Sequence, residues 1–214
     1  AKYQTFDNLQ KAWGDEIGDL KSFADIVTFV PVGSDKKGAV QRDRSEFVTK
    51  EEAGLLQWQV AELRKLGFEG VVTNYCMGRS MRHVGVRDHA DFVMQNGYHA
   101  HPIGGSVGSG GRTPQDSAIA SEANSIRTFL SSRMYGKPYV VSEHGHVFWN
   151  QYRYEQSLMT GAYAALNDFD ALTAFFMQVT TLPNQRITAF EIRHDPVARA
   201  AELITALLYR REDV

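Results

Sequence analysis

Gly136-Lys137-Pro138-Tyr139-Val140-Val141-Ser142-Glu143-His144-Gly145-His146 reads as a helix stop, a short buried strand and a cluster of polar side chains. Gly136 ends a helix readily, and Pro138 cannot continue one. Tyr139, Val140 and Val141 form an apolar, β-branched run suited to a strand covered on both faces. The run ends in a carboxylate, Glu143, followed by two histidines around a glycine. In α/β barrels the C-terminal ends of parallel strands carry the chemistry, and a carboxylate there is a candidate for it. The plainer alternative is a rim ion pair between Glu143 and an arginine.

The composition narrows the partners. A chain of 214 residues fits one domain with a sizeable core, or part of a larger one. A formal charge of −2 gives no electrostatic reason to expect nucleic acid or an anionic membrane as partner. The single cysteine, Cys76, excludes an internal disulfide framework. No apolar run reaches the length of a membrane span, and no signal peptide opens the chain. The absent start methionine suggests a truncated or processed N-terminus. That leaves the compartment open, with a secreted or periplasmic one compatible.

Working outward, residues 3–13 read as a helix with Thr5 as N-cap and Phe6, Leu9 and Trp13 on one face. Residues 26–30 should be extended and stopped by Pro31, and residues 33–44 should form a solvated loop. A helix is expected over 47–66, with Thr49 and Glu52 at capping-box spacing. Leu55, Trp58, Leu63 and Leu66 recur through it, and Gly67 ends it. Strands are expected over 69–74 and 91–98. A glycine- and serine-rich loop at 104–111 lacks the ending of a phosphate cradle and reads as a rim loop. Thr113-Pro114 should start a helix running to about residue 135. A further helix over 152–167, a buried strand over 171–178 and an amphipathic helix from Asp195-Pro196 complete the chain. This alternation predicts an α/β fold with a parallel sheet and crossover helices. Four strands, ending at Asn74, Tyr98, Glu143 and about Gln178, make half of an eight-stranded barrel.

Such a sheet would bring Asn74, Asn96 or Tyr98, His99, His101, Glu143, His144, His146, Trp149 and Gln178 to one rim. Polar side chains that bond hydroxyls, with aromatic faces to cover C–H surface, suit a polyhydroxylated ligand. Glycoside hydrolysis by a retaining route needs two carboxylates roughly 5 Å apart. Glu143 supplies one. No second strand-end carboxylate of equal quality is present, since Asp91 and Asp170 stand at strand starts.

Ala90-Asp91-Phe92-Val93, Tyr98-His99-Ala100-His101-Pro102 and Lys137-Pro138-Tyr139-Val140-Val141-Ser142-Glu143 together resemble the C-terminal half of the catalytic (β/α)8 barrel of retaining glycoside hydrolases. The clan in question carries its two catalytic glutamates on strands four and seven. Residues 150–155, 167–170, Asp195-Pro196 and 210–214 extend the likeness, and residues 3–13 are similar to the clan's segment just downstream of the strand-four glutamate. The resemblance implies that residues 1–214 are the C-terminal part of one catalytic barrel, holding strands five to eight. Glu143 would be its nucleophile. By the same resemblance Asn74, Tyr98 and Trp149 would line sugar subsites, and Asn96, His99, His101, His144, His146 and Asn150 are the further rim candidates for contact with a carbohydrate substrate; no cofactor and no metal is expected. The clan's acid/base, a Glu after Asn, would lie before Ala1, so an N-terminal half would have to complete the site. That half could belong to the same polypeptide, to a cleaved fragment or to a second chain. Where Asn96 stands, related barrels often carry His.

A rival chemistry rests on His99-Ala100-His101 and His144-Gly145-His146. Residues i and i+2 of an extended backbone point the same way, so each pair could chelate a metal, with Glu143 as ligand or base. Pro102 and the position of both pairs beyond the expected strands count against it. A third reading is a non-catalytic carbohydrate-binding fragment.

Overall fold

The computed structural model describes residues 2–26, 38–104, 111–176, 189–212 and 214. The expected strand at 26–30 falls outside these apart from Ile26, as do most of the 104–111 loop and residues 177 and 178 of the last expected strand. The chain divides into two units, Ala1–Gly67 and Phe68–Val214.

In the first unit, helix α1 (Phe6–Trp13) starts as its sequence predicts, with Thr5 Oγ1 accepting from the Asn8 amide at 3.3 Å. Leu9 is the buried residue of this helix. Asp43 holds the entry to α1 by accepting from Tyr3 OH at 2.5 Å, Trp13 Nε1 at 2.7 Å and Lys2 Nζ at 2.8 Å. Helix α2 spans Ala39–Lys65 and so begins eight residues before the expected position 47. Its N-terminus is capped from a distance. The Glu16 carboxylate accepts from the Ala39 and Val40 amides, each at 3.1 Å, satisfying two orphan donors with a favourable charge. Thr49, expected as a cap, instead donates to the Ser45 carbonyl at 2.7 Å within the helix. Of the predicted apolar face, Leu55, Trp58 and Leu66 are exposed, whereas Ala53 and Leu56 are buried.

In the second unit, three parallel strands stand in the order β1 (Val93–His99), β2 (Tyr139–His146), β3 (Ala171–Ala174). The expected parallel α/β pattern is therefore present as a small sheet. Residues 69–74 form no ladder. They lie beside the outer edge of β1 and are held by single bonds, Asp91 N to Val72 O at 2.9 Å and Thr73 Oγ1 to Phe92 O at 2.6 Å, and just beyond them Asn96 N donates to Cys76 O at 2.5 Å. Before β1, helix α3 (Met81–Arg87) carries a fully buried arginine at its last position. The Arg87 guanidinium donates to the carbonyls of Gly78, Tyr75 and Met94 and to Gln95 Oε1, at 2.9–3.2 Å. Acceptors on several sides make burial of this cation tolerable, and they clamp residues 75–78 to β1.

The helix expected over 113–135 shortens to α4 (Asn124–Leu130). Residues 117–119 are captured instead by Glu155, which accepts from Ser117 Oγ at 2.8 Å and the Ile119 amide at 3.1 Å. Glu122 and Ala123 both adopt positive φ, which keeps a helix from running through them. The helix expected over 152–167 forms in pieces: a 3₁₀ turn at Arg153–Glu155, a π turn at Ser157–Gly161 and α5 (Ala162–Leu166). Helix α6 (Pro196–Arg211) starts as predicted, with Asp195 accepting from the Val197 amide at 3.0 Å and gripping Arg153 at 2.5 and 3.1 Å.

The core lies between the sheet and the helices, where Val93, Ile126, Phe129, Tyr139, Val141, Met159 and Phe169 are buried together. Two glycines permit the close approach of the layers. A Cβ on Gly97 would lie 2.4 Å from the Phe129 ring, and one on Gly161 would lie 2.9 Å from the Thr205 backbone of α6. Leu203, Ile204 and Leu207 of α6 are exposed.

Within α6, Glu202 Oε1 is buried with no hydrogen-bond partner, and burial pushes its carboxyl up to about 7. The folded state then binds more protons than the unfolded one between the ordinary glutamate range and pH 7, so stability falls as pH rises through that window. Glu202→Gln should raise unfolding stability at pH 8 by on the order of 2 kcal/mol and give no gain at pH 4. Denaturant melts at the two pH values measure both.

Candidate active site

The pairing of β1 with β2 runs in step from Val93–Tyr139 to Gln95–Val141 and then places Asn96 opposite Glu143. Ser142 is left without a partner on β1. On the other side, Val141 pairs with Leu172 and His144 with Ala174, three steps on β2 against two on β3. A β-bulge thus occupies Ser142–Glu143. Bulges re-aim side chains, and this one changes which residues face the helices. Tyr139 and Val141 are buried toward α4 before it, and His144 and His146 are buried after it. Both Ser142 and Glu143 are turned to the opposite face.

On that opposite face, Tyr98 OH donates a hydrogen bond to Glu143 Oε2. Burial, with the Glu143 acceptor as a second cause, pushes the Tyr98 phenol well above its ordinary range, so it remains a donor at any working pH. The Asn96 carboxamide oxygen accepts from Ser142 Oγ at 2.6 Å. Around Tyr98, the rings of His101, Phe175 and Phe190 stand edge-on at 5.6–6.1 Å between centroids. His101 is exposed and lies 5.5 Å from Phe190. Asn74 stands on the segment beside β1, with its Oδ1 buried and unpartnered. Trp149 follows β2 on a loop and is 56% exposed.

Four predicted contacts belong elsewhere. His99 ends β1 rather than lying beyond it, and its Nε2 donates to the Asp116 carbonyl at 2.9 Å. His146, also within its strand, packs its ring 5.0 Å from that of His99. His144 lies on the same buried side. His144 and His146 do point the same way, as residues two apart in a strand must, but they point away from Glu143. Among the described residues, no group of three His, Cys, Asp or Glu side chains could hold a metal ion. Asn150 is fully buried: its Nδ2 donates to the Pro114 and Asp116 carbonyls, each at 2.9 Å, and its Oδ1 accepts from the Tyr152 amide at 2.7 Å. Its hydrogen-bonding capacity closes two loops on each other.

Residues that sequence reasoning passed over are Ser142, Phe175 and Phe190. The signal for Ser142 was present. Strict alternation would put Glu143 on the apolar side with Tyr139 and Val141, a conflict that an extra residue in the strand resolves. Phe175 and Phe190 meet Tyr98 from distant parts of the chain, which no local pattern encodes.

Chemically, the arrangement offers one carboxylate, a phenol donor on one of its oxygens, a carboxamide beside it and an aromatic surround. A family model described as beta-galactosidase, glycoside hydrolase family 42, matches residues 1–168, a span that includes Tyr98 and Glu143 and ends before β3 and α6. No curated protein and no solved structure matches the chain.

Burial pushes the His144 imidazole down to about 4 and that of His146 to about 3. Both are neutral in the folded chain well below the ordinary histidine value, while the unfolded chain protonates first. Stability is therefore full above about pH 6.5 and is lost as pH falls below it. His146→Leu should flatten this acid limb by close to one proton, or roughly 1.4 kcal/mol per pH unit between pH 6 and 4. Melts across that range, compared with the parent chain, test the slope.

Proposed function

This chain belongs to the family of glycoside hydrolase family 42 β-galactosidases, and from that premise we propose that it is the C-terminal part of a retaining (β/α)8 barrel that hydrolyses β-galactosides. It is a glycoside hydrolase chain. The observation that carries the finer reading is the Tyr98–Glu143 pair at the strand ends inside the matched span.

In this reading Glu143 attacks the anomeric carbon. The glycosidic bond breaks as the glycosyl–enzyme ester forms, and water then releases the sugar. Tyr98 holds one carboxylate oxygen, so the other is free to attack. Asn96, Asn74, His101 and Trp149 are the remaining candidates for holding the sugar, through its hydroxyls and its C–H face. The acid/base that protonates the leaving oxygen and later activates water would come from an N-terminal half. Uncovered apolar side chains support such a completion: Leu55, Trp58 and Leu66 in one unit, and Leu203, Ile204 and Leu207 in the other.

Glu143→Gln keeps the shape and removes the attacking charge. In the full-length enzyme it should lower turnover of an aryl β-galactoside by about 10⁴-fold or more with KM little changed, because the loss acts on the transition state. External azide should restore turnover to Glu143→Gly and yield the α-galactosyl azide. A Glu143→Gln enzyme of wild-type activity would refute the assignment.

A further inference from the structure

Ser142 is the one residue of β2 between Tyr139 and His146 that has no partner on β1, and its hydroxyl is taken by Asn96 at 2.6 Å. Asn96 is itself fixed, nine-tenths buried with its amide donating to the Cys76 carbonyl at 2.5 Å. A chain of contacts thus runs from residues 75–78, held by Arg87, through Asn96 to the bulge. We propose that Ser142, through its hydroxyl on Asn96, is a positioning residue that holds the bulge and so fixes the direction of the Glu143 carboxylate; the assignment rests on the reading of Glu143 as nucleophile.

Without the extra residue, Glu143 would share the buried helix-facing side with Val141, and a one-residue slip of register exchanges the faces of a strand. The Ser142–Asn96 bond is the side-chain contact across the strands at the bulge itself, one residue before the carboxylate. Tyr98 holds the far end of Glu143, at its carboxyl oxygen. Ser142 holds the near end, at the backbone. With both in place the carboxylate has a single direction. With only Tyr98, the carboxylate keeps its partner while the backbone beneath it is free to shift. The same bond takes one acceptor position of the Asn96 carboxamide oxygen and orients the carboxamide, whose NH₂ can then donate to a sugar hydroxyl.

Ser142 itself need not touch the substrate. Its loss should therefore act on the geometry of attack and spare the affinity. In the full-length enzyme, Ser142→Ala should reduce kcat for an aryl β-galactoside by roughly 10- to 100-fold, with KM changed by less than about threefold. Ser142→Thr, which keeps the hydroxyl, should recover most of the loss. Ser142→Cys, similar in shape with a weaker donor, should fall between, and it serves as the test if alanine lowers the melting temperature. Wild-type kcat in Ser142→Ala alongside an inactive Glu143→Gln would overturn the positioning role and leave the nucleophile standing. Failure of Ser142→Thr to recover activity in a folded enzyme would overturn it equally. Activity in Glu143→Gln would instead remove the reading on which it rests.

Discussion

The hydrogen bond from Tyr98 to Glu143 is the contact on which the candidate site depends, and it exists only because β2 carries a bulge. Parallel strands bring residues of neighbouring strands into register, and Tyr98 lies two positions beyond the Asn96–Glu143 pairing. A regular β2 would turn Glu143 toward the helices, into a layer of Phe129, Tyr139 and Phe169. A carboxylate left there without a donor would be costly. The bulge places it on the other face, where a phenol held protonated by burial supplies the donor.

The two faces of the sheet divide the polar residues between structure and chemistry. On the helix side, Gln95 accepts from Arg87 at 3.0 Å and from Ser132 Oγ at 2.8 Å, and His99 ties residue 116 to the end of β1. Asn150 and Glu155 close the loops after β2 against residues 114–119. These buried groups are met by side chains and by backbone carbonyls and amides of other segments, which gives the loops around the rim their positions. On the opposite face, Tyr98, Asn96, Ser142 and Glu143 form a short connected set. Of the two histidine motifs that could suggest a metal centre, His99, His144 and His146 are buried on the helix side, while His101 stands beside Tyr98, so each His-x-His pair is either split between the faces or turned away from Glu143.

Much of the fold was legible where local chemistry decides it. Thr5 caps α1, Asp195-Pro196 opens α6, and the apolar runs at Val93 and Tyr139 form parallel strands. What could not be read came from partners far along the chain. Glu16 extends α2 backward to Ala39 by capping it from 23 residues away. Glu155 captures residues 117–119 before a helix can start at Thr113. Residues 69–74 have strand-like composition, yet they contact β1 through isolated bonds and make no ladder. In the site, Glu143, Tyr98 and Asn96 follow from strand-end position. His144, His146 and Asn150 lie buried away from that face, because a bulge and a buried amide act on geometry that alternation alone does not carry.

The central claim, that this strand end presents the nucleophile of a retaining enzyme, has a direct chemical test. Incubating the full-length enzyme with a 2-deoxy-2-fluoro-β-galactosyl fluoride traps the glycosyl–enzyme, because the fluorine slows its hydrolysis. Peptide mapping by mass spectrometry should then find one added fluorosugar on the peptide containing residues 139–146, with fragment ions assigning it to Glu143. A label on any other carboxylate, or time-dependent inactivation with no covalent adduct on that peptide, would contradict the account.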